Sequence, residues 1–416
     1  LLHKGGTNNM QAYERLLKYV TFRTPSDENS DTVPSSQCQF DLANYLVEEL
    51  KSLGVEDAAV DEKCFVYGHV PATPGYENAT AIGFVAHVDT VADFCDHDCN
   101  PIIHENYDGE DVVLGDSGLV LSPKTFPHLK EVVGQTLITS DGTTILGADD
   151  KAGIAEIMTA LERLGDTPHG PISIAFTPDE EIGTGANNFN VERFAAKYAY
   201  TLDGEVENEV QWETFNAASA KVHIIGENVH PGASKNVMIN AQLVGMELNA
   251  LLPAADRPCY TEGYEGFYHL FSFNGDCSQA DMHYIIRDHD KDIFEARKKL
   301  FLRNVNFLNE KYGQGRVSVE LKDQYYNMSE ILKDHPAAVE NAKKACVQAG
   351  MEPLIVPVRG GTDGAKLSFM GLPCPNLGTG GQAFHGPYEH ITCEAMEKSV
   401  NVILNLIKLF AEEKAE

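Results

Sequence analysis

Several short stretches of this chain end in acids or histidines of a kind that can hold a cation or move a proton. His87-Val88-Asp89-Thr90 follows the apolar run AIGFVA. In a strand, residues i and i+2 point the same way, so Asp89 can hydrogen-bond one ring nitrogen of His87 while the other faces a cation. A structural histidine fits the same pattern. Asp149 and Asp150 stand between Gly147 and KAGIAEIMTALERLG. Acids favour a helix N-terminus, so both can be caps; the alternative is that Asp149 bridges two cations with its two oxygens. Asp179, Glu180 and Glu181 come directly after PISIAFT. Three successive acids repel one another unless water screens them in a turn or something positive sits among them. With metal present, Glu181 can ligate while Glu180 points at a bound water as general base, since a cation makes water far easier to deprotonate. Asp203 ends YAYTLDG, and His385 lies in the glycine-rich GGQAFHG, where an exposed loop histidine is the ordinary reading.

Taken together, these groups can satisfy two cations, with His87 and Asp203 on one, Glu181 and His385 on the other, and Asp149 shared. A bridging carboxylate holds such a pair about 3.5–4 Å apart. Nitrogen and oxygen donors without thiolate suit zinc, with cobalt or manganese as substitutes. Room for a shared water makes the site open and catalytic.

The elements that must position these groups alternate. Leu42, Leu46, Leu50 and Leu53 recur at helical spacing, and Gly54 follows as a stop. AIGFVAH (81–87), PISIAFT (171–177) and YAYTLDG (198–204) read as buried strands, and 151–165 as a helix between the first two. Strands alternating with helices imply an α/β domain with a mixed sheet flanked by helices. Open sheets of this kind place ligands beyond the carboxyl ends of their strands, where the clusters sit. Near Glu213 the character changes. AKVHIIG is followed by a helix over 233–252, two paired strands in FYHLFSFNG and ADMHYIIRD, a long helix from Asp290, and the strand RVSVELKDQYY. Strand, helix, two strands, helix, strand is the order of a ferredoxin-like α+β sandwich. The helix HPAAVENAKKACVQAG, the strand PLIVPV and a last helix through Met396, Val400, Ile403, Ile407 and Phe410 then resume the first pattern. The expected architecture is a catalytic domain over 10–212 and 328–416, interrupted by an inserted domain over 213–327, with residues 1–9 an artificial scar outside the fold.

Composition narrows the partners. The chain is 43% hydrophobic and 23% charged, which provides a sizeable core, and no apolar run reaches the ~18 residues of a membrane-spanning helix. A formal net charge of -30 repels nucleic acid and anionic lipid. Nine scattered cysteines and no secretory signal imply a reducing, cytoplasmic setting rather than a disulfide framework. In DFCDHDCNP, Cys95, His97 and Cys99 are too few to form a second metal site without a partner cluster.

AHVDT, GADDKAGIAEIMTAL, PHGPISIAFTPDEEIG, NVHPG, TEGYEGFYHL, ADMHYIIRD, RGGTDGAKLSFMGLPCPNLGTGG and FHG together resemble the peptidase T family, from about residue 11 to the last helix. These tripeptide aminopeptidases are a branch of the dinuclear-zinc peptidases, aminoacylases and desuccinylases. The resemblance implies that His87, Asp149, Glu181, Asp203 and His385 ligate two zinc ions, that Asp89 supports the site, and that Glu180 is the catalytic base. It also implies a cis peptide between Asp149 and Asp150. His230, Asn240, Arg287 and Arg359 are substrate-binding candidates by the same resemblance, meeting an oxyanion or carboxylate; a lone histidine or arginine after a strand is as often structural. Tripeptides are the implied substrates, and the inserted domain has the look of a lid or homodimerisation module. An N-acyl amino acid hydrolase or a dipeptidase would share the same metal centre, whereas a non-catalytic peptide-binding relative would have lost Glu180 or a ligand.

Overall fold

Apolar runs with no polar alternation can be satisfied only by a strand covered on both faces. Ile82–His87 and Ile172–Thr177 are such runs, buried along their whole length. They lie side by side near the middle of a seven-stranded sheet. Its order is Ala59–Val60, Val66–Val70, Ile172–Thr177, Ile82–His87, Tyr198–Gly204, Asn376–Gly378 and Val210–Gln211. The four strands from Ile172–Thr177 to Asn376–Gly378 are mutually parallel. The flanking strands join antiparallel, so the sheet is mixed. Parallel neighbours bring the carboxyl ends of these strands to one rim, with His87, Thr177 and Asp203 at or next to the last position of each.

The computed structural model describes residues 9–413. The first eight residues of the expected artificial scar lie outside the described residues. The chain divides into two compact units, Leu1–Trp212 with Ile331–Val356 and Thr362–Glu416, and Glu213–Glu330 with Pro357–Gly361. In the first unit the helix Ala148–Leu164 is buried along nearly every residue, and Cys393–Glu412 presents Met396, Val400, Ile403, Leu406, Ile407 and Phe410 as its buried stripe. Among the described residues, no helix is long and apolar enough to cross a membrane.

The second unit is a four-stranded antiparallel sheet in the order Phe267–Gly275, Gln279–Asp288, Asn216–Ile225, Val317–Tyr325. The helices Ala241–Ala250 and Lys291–Tyr312 contribute Val244, Leu248, Phe294 and Phe301 to a core shared with Val222, Ile224, Tyr284 and Ile286 of the sheet. This is the ferredoxin-like sandwich. Strand residues alternate between that core and the opposite face, as in Gln279–Asp288.

Three local expectations need correction. The helix expected over 233–252 begins only at Ala241, because the Asn240 side chain accepts the amides of Gln242 and Leu243 and so caps it there. PLIVPV is not a strand but touches its neighbours through single bridges at Leu354 and Val358. Pro353 and Pro357 remove the amide donors a ladder needs. The parallel place is taken instead by Asn376–Gly378, a short segment with little apolar signal. Pro357–Gly361 also returns to the second unit, where the Val358 amide donates to the Glu213 carbonyl at 2.9 Å.

Candidate metal centre

His87 closes its strand with a ring only 2% exposed. Nδ1 faces the Asp89 carbonyl oxygen at 2.9 Å, with Asp89 Oδ1 at 3.3 Å. Nε2 faces Asp149 Oδ1 at 3.1 Å and Asp203 Oδ1 at 3.4 Å. With Nδ1–H donating to Asp89, the Nε2 lone pair is free for a cation. The expected bond between His87 and the Asp89 carboxylate is therefore secondary. That carboxylate instead accepts the amides of Glu180 at 3.0 Å and Glu181 at 3.2 Å, because two converging N–H groups bind an anion better than one imidazole. Fully buried, Asp89 pins the acidic turn to the end of the neighbouring strand.

Asp149 departs from helical geometry, with φ -80° and ψ 104°, and its peptide bond to Asp150 is cis. Its two oxygens diverge. Oδ1 meets His87 as above, while Oδ2 meets His385 Nε2 at 3.0 Å, and His385 Nε2 also meets Glu181 Oε2 at 3.1 Å. The chain thus assembles two donor groups, His87 with Asp149 and Asp203, and Asp149 with Glu181 and His385. Each set has its donor atoms within 4.8 Å of one another. Asp149 belongs to both.

The three acids of the turn separate in function. Asp179, at φ 58°, turns away from the cluster and is held by the Ser35 amide at 2.8 Å, the Ser35 hydroxyl at 2.5 Å and the Gln39 side-chain amide at 2.7 Å. Glu181 points at His385. Glu180 lines a small cavity with His87, Asp150, Asp203 and Asp363. Asp150 accepts the His87 amide at 3.1 Å through Oδ2, and its buried Oδ1 has no partner among the described residues.

The electrostatics reflect this crowding. Burial, then neighbouring Asp149, pushes Glu181 up to about 7. Burial pushes Asp203 up to about 6. Burial and Asp203 raise Glu180 and Asp150 well above the carboxylate range. Asp149 is held below that range because the hydrogen bonds of His385 and His87 outweigh its burial. Hydrogen bonds to Asp149 and Glu181 lift His385 to about 11. Carboxylates packed this closely cannot all ionise unless positive charge joins them, and two imidazoles offset only part of it. The orphaned Asp150 oxygen and a donor set of nitrogen and oxygen fit a pair of divalent cations.

Two residues outside the sequence-derived set support these ligands. Glu389, 1% exposed, accepts the Gly147 amide at 2.7 Å and the Asp149 amide at 3.0 Å. Asp363 accepts the Thr177 hydroxyl at 2.8 Å and the Ala186 amide at 2.9 Å, tying the end of a central strand to the segment beyond the acidic turn. Neither stands at the carboxyl end of a strand. Nothing in the flanking PYEHIT singles out Glu389, because its amide partners lie 240 or more residues away.

The remaining candidates belong to the second unit. His230 is exposed, and its Nδ1 accepts the Gly232 amide at 3.1 Å. Asn240 serves as the helix cap already described. Arg287 donates to the carbonyls of Ala218 at 3.2 Å and Ile286 at 3.0 Å and lies over the Tyr325 ring. Arg359 is committed elsewhere than to an open cleft, donating to the carbonyls of Gly263 and Glu265, both at 2.8 Å, and to the Thr261 hydroxyl at 2.9 Å. In the first unit, Cys95 is buried beside the Thr90 hydroxyl, while His97 bonds Asp96 and Thr143.

Known proteins share both sequence and fold with this chain. Over 404 residues it is 53% identical to a peptidase T of Caldanaerobacter subterraneus, covering 96% of this chain and 98% of the relative. Aminopeptidase PepT of Bacillus cereus superimposes with a TM-score of 0.77 at 23% identity, covering 98% of this chain and all of that one. A tripeptidase of Staphylococcus aureus gives a TM-score of 0.78 at 22% identity over the same shares. Residues 141–409 match the model of peptidase family M20/M25/M40. With more than half the chain inside that match, and a relative of such identity along nearly its whole length, this chain belongs to peptidase family M20/M25/M40.

Proposed function

We propose that this chain is a two-zinc aminopeptidase releasing the N-terminal residue of tripeptides. The observation that carries the reading is Asp149, whose separate oxygens reach His87 and His385 and so join two donor groups through one carboxylate. His87 and Asp203 would hold one cation, Glu181 and His385 the other, with Asp149 between them. When bound, such a pair supplies Lewis acidity to the scissile carbonyl and lowers the pKa of an attacking water.

The chain's own residues do the rest. Glu180, in its buried cavity beside Asp203, takes the proton of the attacking water and returns it to the departing amine. Asp89 keeps the backbone of Glu180 and Glu181 fixed against the strand end, so base and ligand share one frame. Arg287 is half-buried with carbonyls and an aromatic ring around it, and no carboxylate lies within ion-pair distance among the described residues. That leaves it able to read the far carboxylate of a short peptide. We assign His230 to the oxyanion, and Asn240 and Arg359 to shaping the inserted unit, which would act as lid or homodimer contact. The names of the relatives, peptidase T and tripeptidase, support the tripeptide substrate. Free thiols at all nine cysteines accord with a cytoplasmic setting.

The assay is zinc-loaded protein with tripeptides carrying free and acetylated N-termini. Cleavage after the first residue, lost on acetylation, is the expected result. Retained cleavage of the acetylated substrate would assign the same centre to an N-acyl amino acid hydrolase instead.

A further inference from the structure

We propose that Glu389 is a positioning residue that sets the spacing between Asp149 and His385, the donors it joins across the fold. The inference rests on the dinuclear reading above. The helix Ala148–Leu164 starts after Gly147, which has no side chain to cap it. Its first amides therefore need an acceptor from elsewhere. Glu389 supplies both oxygens, one to the Gly147 amide at 2.7 Å and one to the Asp149 amide at 3.0 Å, from 242 and 240 residues away. Two charge-assisted bonds from a single carboxylate fix the turn in orientation as well as distance.

The same residue anchors the other donor. His385 lies in the loop between Gln382 and His390, which pair through reciprocal backbone bonds of 2.8 and 3.1 Å. Glu389 sits next to that closure, and its amide donates to the Gly386 carbonyl at 3.1 Å, so its backbone belongs to the His385 loop while its side chain grips the Asp149 turn. His385 Nε2 then meets Asp149 Oδ2 at 3.0 Å although the two are 236 residues apart. His385 has φ 65°, and its side chain is 52% exposed, so packing around the imidazole contributes little to holding it there. Asp149 and Glu181 meet the ring itself, and Glu389 ties the loop that carries it to the Asp149 turn.

The test uses the full-length protein with Glu389→Gln, which keeps the shape but turns one acceptor into a donor facing an amide. Glu389→Asp, which keeps the charge but withdraws it, serves if the first variant does not fold. In cation-free protein, amide exchange at Gly147 and Asp149 should quicken, with the rest of the helix unchanged. Titration with zinc should show affinity weakened by about 10–100-fold, the usual effect of removing a ligand's support. Exchange and zinc affinity equal to the parent protein would overturn the proposal. Failure of the parent protein to bind two zinc ions would sink the dinuclear reading, while the exchange rates would still decide the role of Glu389.

Discussion

Glu180 and Asp179 are adjacent acids with opposite duties. Asp179 is fully satisfied by Ser35 and Gln39, so its charge belongs to the scaffold. Among the described residues Glu180 has no such side-chain hydrogen bonds, and it lines the cavity beside His87 and Asp203. On the proposed reading, removing Glu180 takes away a proton carrier rather than a ligand. Glu180→Ala should lower kcat by about 10²–10⁴ while the protein still binds two zinc ions, measured by steady-state kinetics and metal analysis on one sample. Unchanged kcat would move the base to another side chain. The same residues show what a sequence conceals at this scale. Three acids in a row look alike in one dimension, and only the positive φ at Asp179 sends the first carboxylate away from the other two.

At the scale of elements, the helix Ala148–Leu164 and the strand Tyr198–Gly204 must approach closely for Asp149 to reach His87 beside Asp203. Gly153 makes the approach available. A methyl group there would overlap the Leu202 carbonyl oxygen and come within 2.5 Å of Asp150 Oδ1. On an isolated helix Gly→Ala gains about 1 kcal/mol. Here the overlap reverses the sign. Gly153→Ala is expected to cost about 1–3 kcal/mol, the usual range for overpacking, read from the shift in urea unfolding midpoint. Zinc affinity should fall with it as the helix carrying Asp149 is pushed off the strand carrying Asp203. A stability gain would show that the helix can move away without consequence.

At the scale of the whole molecule, each unit has its own core, and all the proposed cation donors belong to the first. A ligand that binds only the folded form stabilises it by mass action, about 2.7 kcal/mol at a hundred times its dissociation constant. Zinc should therefore slow amide exchange around His87, Asp149, Glu181, Asp203 and His385, and chelation should reverse it. The inserted sheet, followed through peptides spanning 216–225 and 279–288, should respond far less. Protection confined to the inserted unit would mean the cations bind elsewhere.

The sequence by itself determined the local order. Uniform apolar runs required buried strands, their ends carried His87, Glu181 and Asp203 to one rim, and the switch to alternation after Glu213 marked the inserted sandwich. Such features depend on backbone preference and side-chain period, which neighbouring residues encode. Tertiary structure decided what local pattern cannot carry. It selected Asn376–Gly378 over PLIVPV as the parallel strand, turned the buried Asp179 toward Ser35 and Gln39, committed Arg359 to the 261–265 loop, and recruited Glu389 to amides 240 or more residues away. Those outcomes depend on which donors and acceptors packing brings together. A hydrogen bond acts over about 3 Å, whatever the separation along the chain.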